Sequence, residues 1–269
     1  MVCLSLNNNV IRAIISDPSG QLWIGTEGGG VSIFDPIREK FSPIYLNENF
    51  PIILKDGKVS SMLLANDQSI WISTNGGGVI SIKIDFESSS DWKVKSEGIK
   101  IRHFHNKNSN LKDNKVWSLF QDNEGRIWAG TQEKGAFVFE NEIWTPVTLP
   151  IAPQTPQSVK VFYEDRLGRL WIGTEKSGLY IKSKSQKDFV EVNLPKAGSD
   201  PQQKDLNVTS FIEDEQGNVW VGTLGRGLFI QQLDGGQVLH YEDEPNNPYS
   251  LNGNSVYTIY RDSAGSIWL

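Results

Sequence analysis

The chain has 269 residues, 38% hydrophobic and 22% charged, with a formal net charge of −6. That balance supports a sizeable core, and without a Lys/Arg cluster it argues against a nucleic-acid or anionic-membrane surface. The single cysteine, Cys3, excludes an internal disulfide framework, and no apolar run approaches the about 20 residues of a spanning helix.

The first ten residues, MVCLSLNNNV, lack a charged start and a long apolar stretch, so no signal peptide is expected there. IRAIIS from Ile11 alternates apolar and polar and is β-branched, which predicts a strand. Asp17 to Gly20 predicts a tight turn: the Asp bonds its own backbone and the Gly takes the positive φ. A second strand follows with WIGT at Trp23. Gly30 then opens a third, GVSIFD, and FSPIYL is a looser fourth. The order returns down the chain. First strands are VWSLFQ from Val116, VKVFYE from Val159, VTSFIE from Val208 and VYTIYR from Val256; the turns start at Asp122, Asp165, Asp214 and Asp262. The second-strand tryptophans are Trp71, Trp128, Trp171, Trp220 and Trp268, and third strands open at Gly78, Gly135, Gly178 and Gly227. The second copy departs from the pattern, with Ala65 for the turn Asp, Gln68 for its Gly and Ser73 for the Gly of WIGT. A polar insertion, residues 87–98, is expected to be an extended surface loop.

Successive tryptophans at 23, 71, 128, 171, 220 and 268 are 48, 57, 43, 49 and 48 residues apart. Four short strands at that period predict an all-β fold, a β-propeller of four-stranded antiparallel blades. The blades are expected at about 9–46, 58–105, 115–149, 158–194 and 207–243, with an incomplete sixth at 255–269, in a single domain, 1–269. Trp23, Trp71, Trp128, Trp171, Trp220 and Trp268 are expected to fill the space between blades. Stopping within a blade leaves an open strand edge, so the chain is expected to be part of a longer protein.

The Gly-rich turns TEGGGV and TNGGGV precede strands and lack a Lys-Ser/Thr pair, so they read as turns and not as phosphate cradles. The Asp column offers one carboxylate per turn, which suits turn capping better than calcium. His103, His105 and His240 fall on outer strands without a third convergent ligand, and read as packing. No metal, cofactor or catalytic residue is expected, nor any role for Cys3.

In an up-down blade the loops after strand two and those before strand one share an end. The first set offers Glu27, Asn75, Gln132, Glu133, Lys134, Glu175, Lys176 and Arg226; the second offers Asn9, Lys58, Asn114, Lys115, Gln157, Asn207 and Asn254. The second residue of each first strand also varies: Arg12, Ser60, Trp117, Lys160, Thr209 and Tyr257. Amides, charges and aromatics over an apolar platform suit a hydroxyl-rich ligand. The ligand-binding candidates are Arg12, Trp117, Lys160, Tyr257, Glu27, Asn75, Lys134, Glu175 and Arg226, against the plainer reading of solvated loops.

The pattern V-x-x-I-x-x-D-x-x-G-x-[IL]-W-[IV]-G-T-x-x-x-G-[LV], with its lead-in NNPYSLNGN from Asn246, resembles the two-component regulator propeller repeat. The resemblance implies the extracytoplasmic sensing region of bacterial sensor proteins, many of them hybrid histidine kinases answering to polysaccharide breakdown products, others coupled to diguanylate cyclases. It implies seven-bladed propellers, a following β-sandwich and membrane helix, and a periplasmic or otherwise extracytoplasmic location. The expected partners are an oligosaccharide or other small ligand, a neighbouring propeller or β-sandwich of the same chain, or a second copy in a homodimer. The alternatives are a secreted propeller enzyme resembling the streptogramin lyases and a protein-interaction scaffold.

Overall fold

The computed structural model describes residues 5–43, 57–83, 99–152, 155, 157–195, 206–233 and 235–269. The readings of Cys3, of the 87–98 insertion and of the end of FSPIYL lie outside the described residues. All regular structure among the described residues is β. The first sheet holds β1 (Ile11–Ser16), β2 (Leu22–Thr26), β3 (Val31–Asp35) and β4 (Lys40–Pro43). The second holds β5 (Val59–Leu64), β6 (Ile70–Thr74), β7 (Gly78–Lys83) and β8 (Lys100–Phe104). The third holds β9 (Val116–Gln121), β10 (Ile127–Thr131), β11 (Ala136–Glu140) and β12 (Ile143–Val147). The fourth holds β13 (Val159–Glu164), β14 (Leu170–Thr174), β15 (Leu179–Lys182) and β16 (Val190–Glu191). The fifth holds β17 (Asn207–Glu213), β18 (Val219–Leu224), β19 (Leu228–Gln231) and β20 (Val238–Tyr241), and β21 (Tyr260–Arg261) pairs with β22 (Ile267–Trp268). Each is an antiparallel meander, and together they are the blades of a β-propeller. The chain divides into two compact units, Met1–Thr131 with Phe137–Pro146, and Gln132–Ala136 with Val147–Leu269.

Two predicted strands are shorter than expected. In DFVEVNL only Val190–Glu191 is ladder-paired, because this is an outer strand with a single neighbour; the Val192 amide still donates to the Leu179 carbonyl (2.8 Å). In VYTIYR only Tyr260–Arg261 pairs, while Val256 and Ile259 are buried against Leu228 and Ile230.

The Asp turn does more than close a hairpin. Asp17 Oδ1 accepts the Ser19 and Gln21 amides (2.9 and 3.1 Å), and its Oδ2 accepts the Trp23 indole N–H at 2.9 Å. The indole bond recurs at Trp128–Asp122 (2.7 Å), Trp171–Asp165 (2.8 Å), Trp220–Asp214 (3.0 Å) and Trp268–Asp262 (2.8 Å). One carboxylate thus satisfies the turn amides and the single polar atom of the buried tryptophan. The second blade reaches the same end by a relay. Gln68 takes the positive φ (64°), and the Trp71 indole donates to Ser69 Oγ (2.8 Å), which donates to Asp67 Oδ1 (2.5 Å).

Successive blades within a unit meet through the repeat's own small residue. A Cβ on Gly25 would lie 2.4 Å from Val59 Cγ1 of the next blade, and one on Gly173 would lie 2.5 Å from Val208 Cγ1. The Gly of WIGT is therefore a seat for the next blade's first Val. Around it, Trp23 clusters with Val59, Met62 and Ile72, and Trp71 with Val116, Ile127 and Phe139. Trp171 likewise clusters with Val208, Val221 and Phe229. Trp23, Trp71, Trp128 and Trp171 are buried, and Trp220 is half-buried against the Val256 cluster. Trp268, in the last copy, is 62% exposed.

Candidate functional site

The variable second residue of each first strand has a structural identity. In β1, Ile11 faces Thr26 and Ala13 faces Gly25, so Arg12 has no partner position: it is a β-bulge. The same shift leaves out Ser60 in β5, Trp117 in β9, Lys160 in β13 and Thr209 in β17. A bulged residue is released from the alternation that sends its neighbours inward, so its side chain is re-aimed at the strand's end. Tyr257, at the same place in the last copy, precedes the paired part of its strand and is 74% exposed.

The loop after strand two is fixed beside this bulge. The Thr of WIGT is fully buried: Thr26 Oγ1 donates to the Gly30 carbonyl (3.1 Å) and accepts the Gly29 amide (3.1 Å). Thr74, Thr174 and Thr223 repeat the bond to Gly78, Gly178 and Gly227. Those glycines must have positive φ, and at Gly78 and Gly227 a Cβ would meet a carbonyl oxygen at 2.1 Å. The residue after the Thr is gripped on its own blade by the segment before strand one: the Glu27 amide donates to the Val10 carbonyl and the Glu175 amide to the Ser158 carbonyl, both at 2.9 Å. Bridges to the next blade follow, Glu27 with Lys58, Asn75 with Lys115, Lys134 with Gln157 and Leu224 with Ser255. The two loop sets that the strand order places at one end are therefore in direct contact.

Two of the bulge residues meet the residue fifteen positions later on this loop. Arg12 Nε donates to Glu27 Oε2 at 2.8 Å, and a guanidinium Nη2 bonds the same oxygen. Lys160 Nζ lies 4.0 Å from Glu175 Oε1. Burial holds the Lys160 ammonium below the ordinary lysine pKa, with Glu175 opposing. Thr209 instead turns to the next blade and donates to the Val256 carbonyl (2.5 Å). Trp117 is half-buried, and Asn75 and Lys134 are exposed.

Arg226, one of the ligand-binding candidates, is held inside the fold. It is 8% exposed; Nη2 donates to the Pro195 carbonyl (2.9 Å) and the guanidinium lies 5.3 Å from the Phe229 ring centre. The side chain follows the loop inward and braces it, a role invisible in sequence because Phe229 and Pro195 meet it only in the fold. The histidines are similarly occupied. His103 Nε2 is 2.6 Å from the Gly77 carbonyl oxygen, and His240 Nε2 is 2.8 Å from that of Arg226, the same loop position in two blades. His240 also stacks on Phe229 at 4.1 Å. Among the described residues no group of three or more His, Cys, Asp and Glu is placed to hold a metal.

The sequence matches the two component regulator propeller profile at residues 5–28, 110–133, 153–176, 202–225 and 250–269. Each match runs from the lead-in of a blade through its Asp turn and Trp strand, and the copies return across the chain. The chain belongs to the two-component regulator propeller family. The one blade the profile leaves out is the second, where Ala65, Gln68 and Ser73 break the motif. No curated protein matches the sequence. Among solved structures, this family member is similar to the extracellular domain of BT4673 from B. thetaiotaomicron. Identity is 20% and the TM-score 0.74, over 100% of this chain and 32% of that one. It is also similar to the extracellular domain of BT3049 from the same organism, assigned to a hybrid two component system (19% identity, TM-score 0.53, 97% and 38% covered). Virginiamycin B lyase from Staphylococcus aureus, crystallised in catalytically inactive form with quinupristin, is a third (13%, TM-score 0.66, 100% and 79% covered). These likenesses show the propeller fold. The chain spans about a third of the length of the two extracellular domains.

Proposed function

We propose that this two-component regulator propeller is a ligand-sensing domain of a bacterial sensor, placed outside the cytoplasm, and that it binds without catalysing a reaction. The observation that carries the reading is the bulge column. Outside the second blade, where Ala65, Gln68 and Ser73 break the motif, the frame is built from the same Asp, Trp, Thr and Gly, while the one residue freed from the ladder in the five bulged strands is Arg, Ser, Trp, Lys or Thr. A position the fold does not need, set at a strand end beside fixed loops, is where recognition can vary between blades at little cost. The extracellular domains of similar fold support the location, and the family's sensing role supports the function. The side chains offered are hydrogen-bonding and aromatic, which suits an oligosaccharide. The binding reading is also supported by His103 and His240, each of which turns its Nε2 to a loop carbonyl. A neighbouring propeller, a β-sandwich of the same chain or a second copy would receive the signal.

The test is calorimetric titration of the chain with a panel of polysaccharide fragments, repeated with Arg12→Ala, Trp117→Ala and Lys160→Ala. Arg226 is left out because it braces the loop. Saturable binding by one fragment, weakened at least tenfold by one of these variants at unchanged melting temperature, is the expected result. Binding indifferent to all three would refute the assignment to the bulge column.

A further inference from the structure

The bond from the Thr of WIGT to the next Gly is only one side of the grip on the loop after strand two. In three blades the residue just before that Gly also gives its amide to the same Thr: Gly29 to Thr26 Oγ1 (3.1 Å), Gly77 to Thr74 Oγ1 (3.0 Å) and Ser177 to Thr174 Oγ1 (2.8 Å). Its carbonyl then meets a side-chain donor. Asn7 Nδ2, from the lead-in, donates to the Gly29 carbonyl (3.3 Å); His103 Nε2, from β8, meets that of Gly77 (2.6 Å); the Tyr180 hydroxyl, from β15, donates to that of Ser177. In the fifth blade His240 Nε2, from β20, meets the carbonyl of Arg226, again the residue before the Gly (2.8 Å). The donors stand 22, 26, 3 and 14 residues from the carbonyls they cap, and none belongs to the repeat motif. Four unrelated routes thus end on one atom of the same loop.

Loops of this composition need such a tie. Gly28 and Gly76 stand inside two of them at positive φ (111° and 117°), where a chain of small residues has much freedom to lose. With the amide and the carbonyl of the following residue both bonded, the peptide on either side of it has one orientation. Glu27, Asn75 and Glu175, two residues before the capped one, are then fixed between this grip and the strand end. A loop ordered beforehand costs a ligand less to bind than a loop the ligand must order. The donors are themselves secured. Tyr180 is 2% exposed, and burial, with Glu191 adding to it, pushes its phenol up to about 12, so the O–H remains a donor at any working pH. His240 stacks on Phe229, the ring against which the Arg226 guanidinium also lies, so main chain and side chain of Arg226 are tied to one assembly.

We propose that Asn7, His103, Tyr180 and His240 are positioning residues, each setting its rim loop in the binding geometry before a ligand arrives, an inference that rests on the ligand-sensing reading of this end. Tyr180→Phe removes one hydroxyl and keeps the ring; His103→Ala removes a cap, and His103→Gln keeps a donor in its place. Amide hydrogen exchange is followed in the whole chain and in each variant. Tetrasaccharides from cellulose, xylan, mannan and polygalacturonate are titrated into each calorimetrically, at a temperature at which all are folded. Exchange of the Ser177 amide in Tyr180→Phe, and of the Gly77 amide in His103→Ala, is expected to quicken at least tenfold while the strands β14 and β6 are unchanged. The tetrasaccharide that saturates the unaltered chain is expected to bind one of these two variants at least tenfold more weakly, with the loss in the entropy of binding. His103→Gln is expected to keep the affinity of the unaltered chain. Unchanged exchange overturns the proposal, and so does faster exchange with affinity retained in both variants, which would leave the caps a purely structural role. No saturation of the unaltered chain by any of the four would tell against the ligand-sensing reading itself, and with it against the proposal. If Tyr180→Phe does not fold, the two His103 variants decide.

Discussion

Gly173→Ala tests the seat between successive blades. The added methyl would stand 2.5 Å from Val208 Cγ1, 2.7 Å from Val208 Cβ and 2.8 Å from Val161 Cγ1. The φ of Gly173 is ordinary, so the cost arises from the contacts and not from the backbone. Both valines are β-branched and stiff at χ1, and Val208 is fully buried, so neither rotates away. Overpacking of one methyl costs about 1–3 kcal/mol, and three contacts this short place it near 3 kcal/mol. At about 2–4 °C per kcal/mol for a chain of this size, the melting temperature measured by scanning calorimetry falls by about 6–12 °C. Val208→Ala alone loses about 2 kcal/mol through burial and cavity terms. In the double variant the contact to Cγ1 of residue 208 is gone, while those to its Cβ and to Val161 Cγ1 remain, so part of the strain is relieved. The pair should therefore be coupled by about 0.5–1.5 kcal/mol in urea titrations, the double variant being more stable than the sum of the singles predicts. Strict additivity would refute the claim that this glycine exists to seat the next blade's valine.

Asp214→Asn places an amide N–H₂ or a neutral oxygen against the Trp220 indole and is expected to cost about 2–3 kcal/mol by urea denaturation. The pH dependence follows from the same group. Burial raises the Asp214 pKa, but bonds from Trp220 and Asn218 outweigh it and hold the carboxyl below its ordinary value. Its stabilisation is therefore full above the unfolded value of about 3.9 and lost as pH falls through the lower folded value, so Asp214→Asn should flatten stability measured from pH 5 to 2. Ser69→Ala strands the indole of Trp71 and should cost about 1–3 kcal/mol, whereas the same change at Ser266, which bonds no indole in this way, should cost less. Arg12→Ala should change stability by no more than about 0.5 kcal/mol, because its ion pair with Glu27 is solvent-exposed; a larger loss would mean the bulge residue supports the fold.

Strands, turns and the tryptophan column were legible because each is a local pattern repeated with little variation. Alternation marks β1, Asp-x-x-Gly marks its turn, and a period near 48 residues marks the blade. The direction of variation was legible too, since Arg12, Trp117 and Lys160 stand out against an apolar frame. Their bulge was not, because a register shift is a relation between two strands and neither strand shows it alone. The burial of Arg226 was hidden for a related reason: in sequence it is a charged residue in a rim loop and reads as a ligand-binding candidate, and only the approach of Phe229 and Pro195 makes burial favourable. The Asp and Trp of this bond stand six residues apart in every motif but the second blade's, yet the partner atoms meet only when the turn folds the strand back.

The bulge in each first strand separates two kinds of inheritance. Substitutions at Val59 or Gly173 alter the packing between blades and are answerable to stability, whereas Ser60 or Lys160 can be exchanged without changing any hydrogen-bond register. A lineage of such proteins can therefore rewrite its chemistry one blade at a time while its architecture stands still. An engineer can do the same by randomising Arg12, Ser60, Trp117, Lys160 and Thr209 as a library whose members differ in what they touch and not in whether they fold.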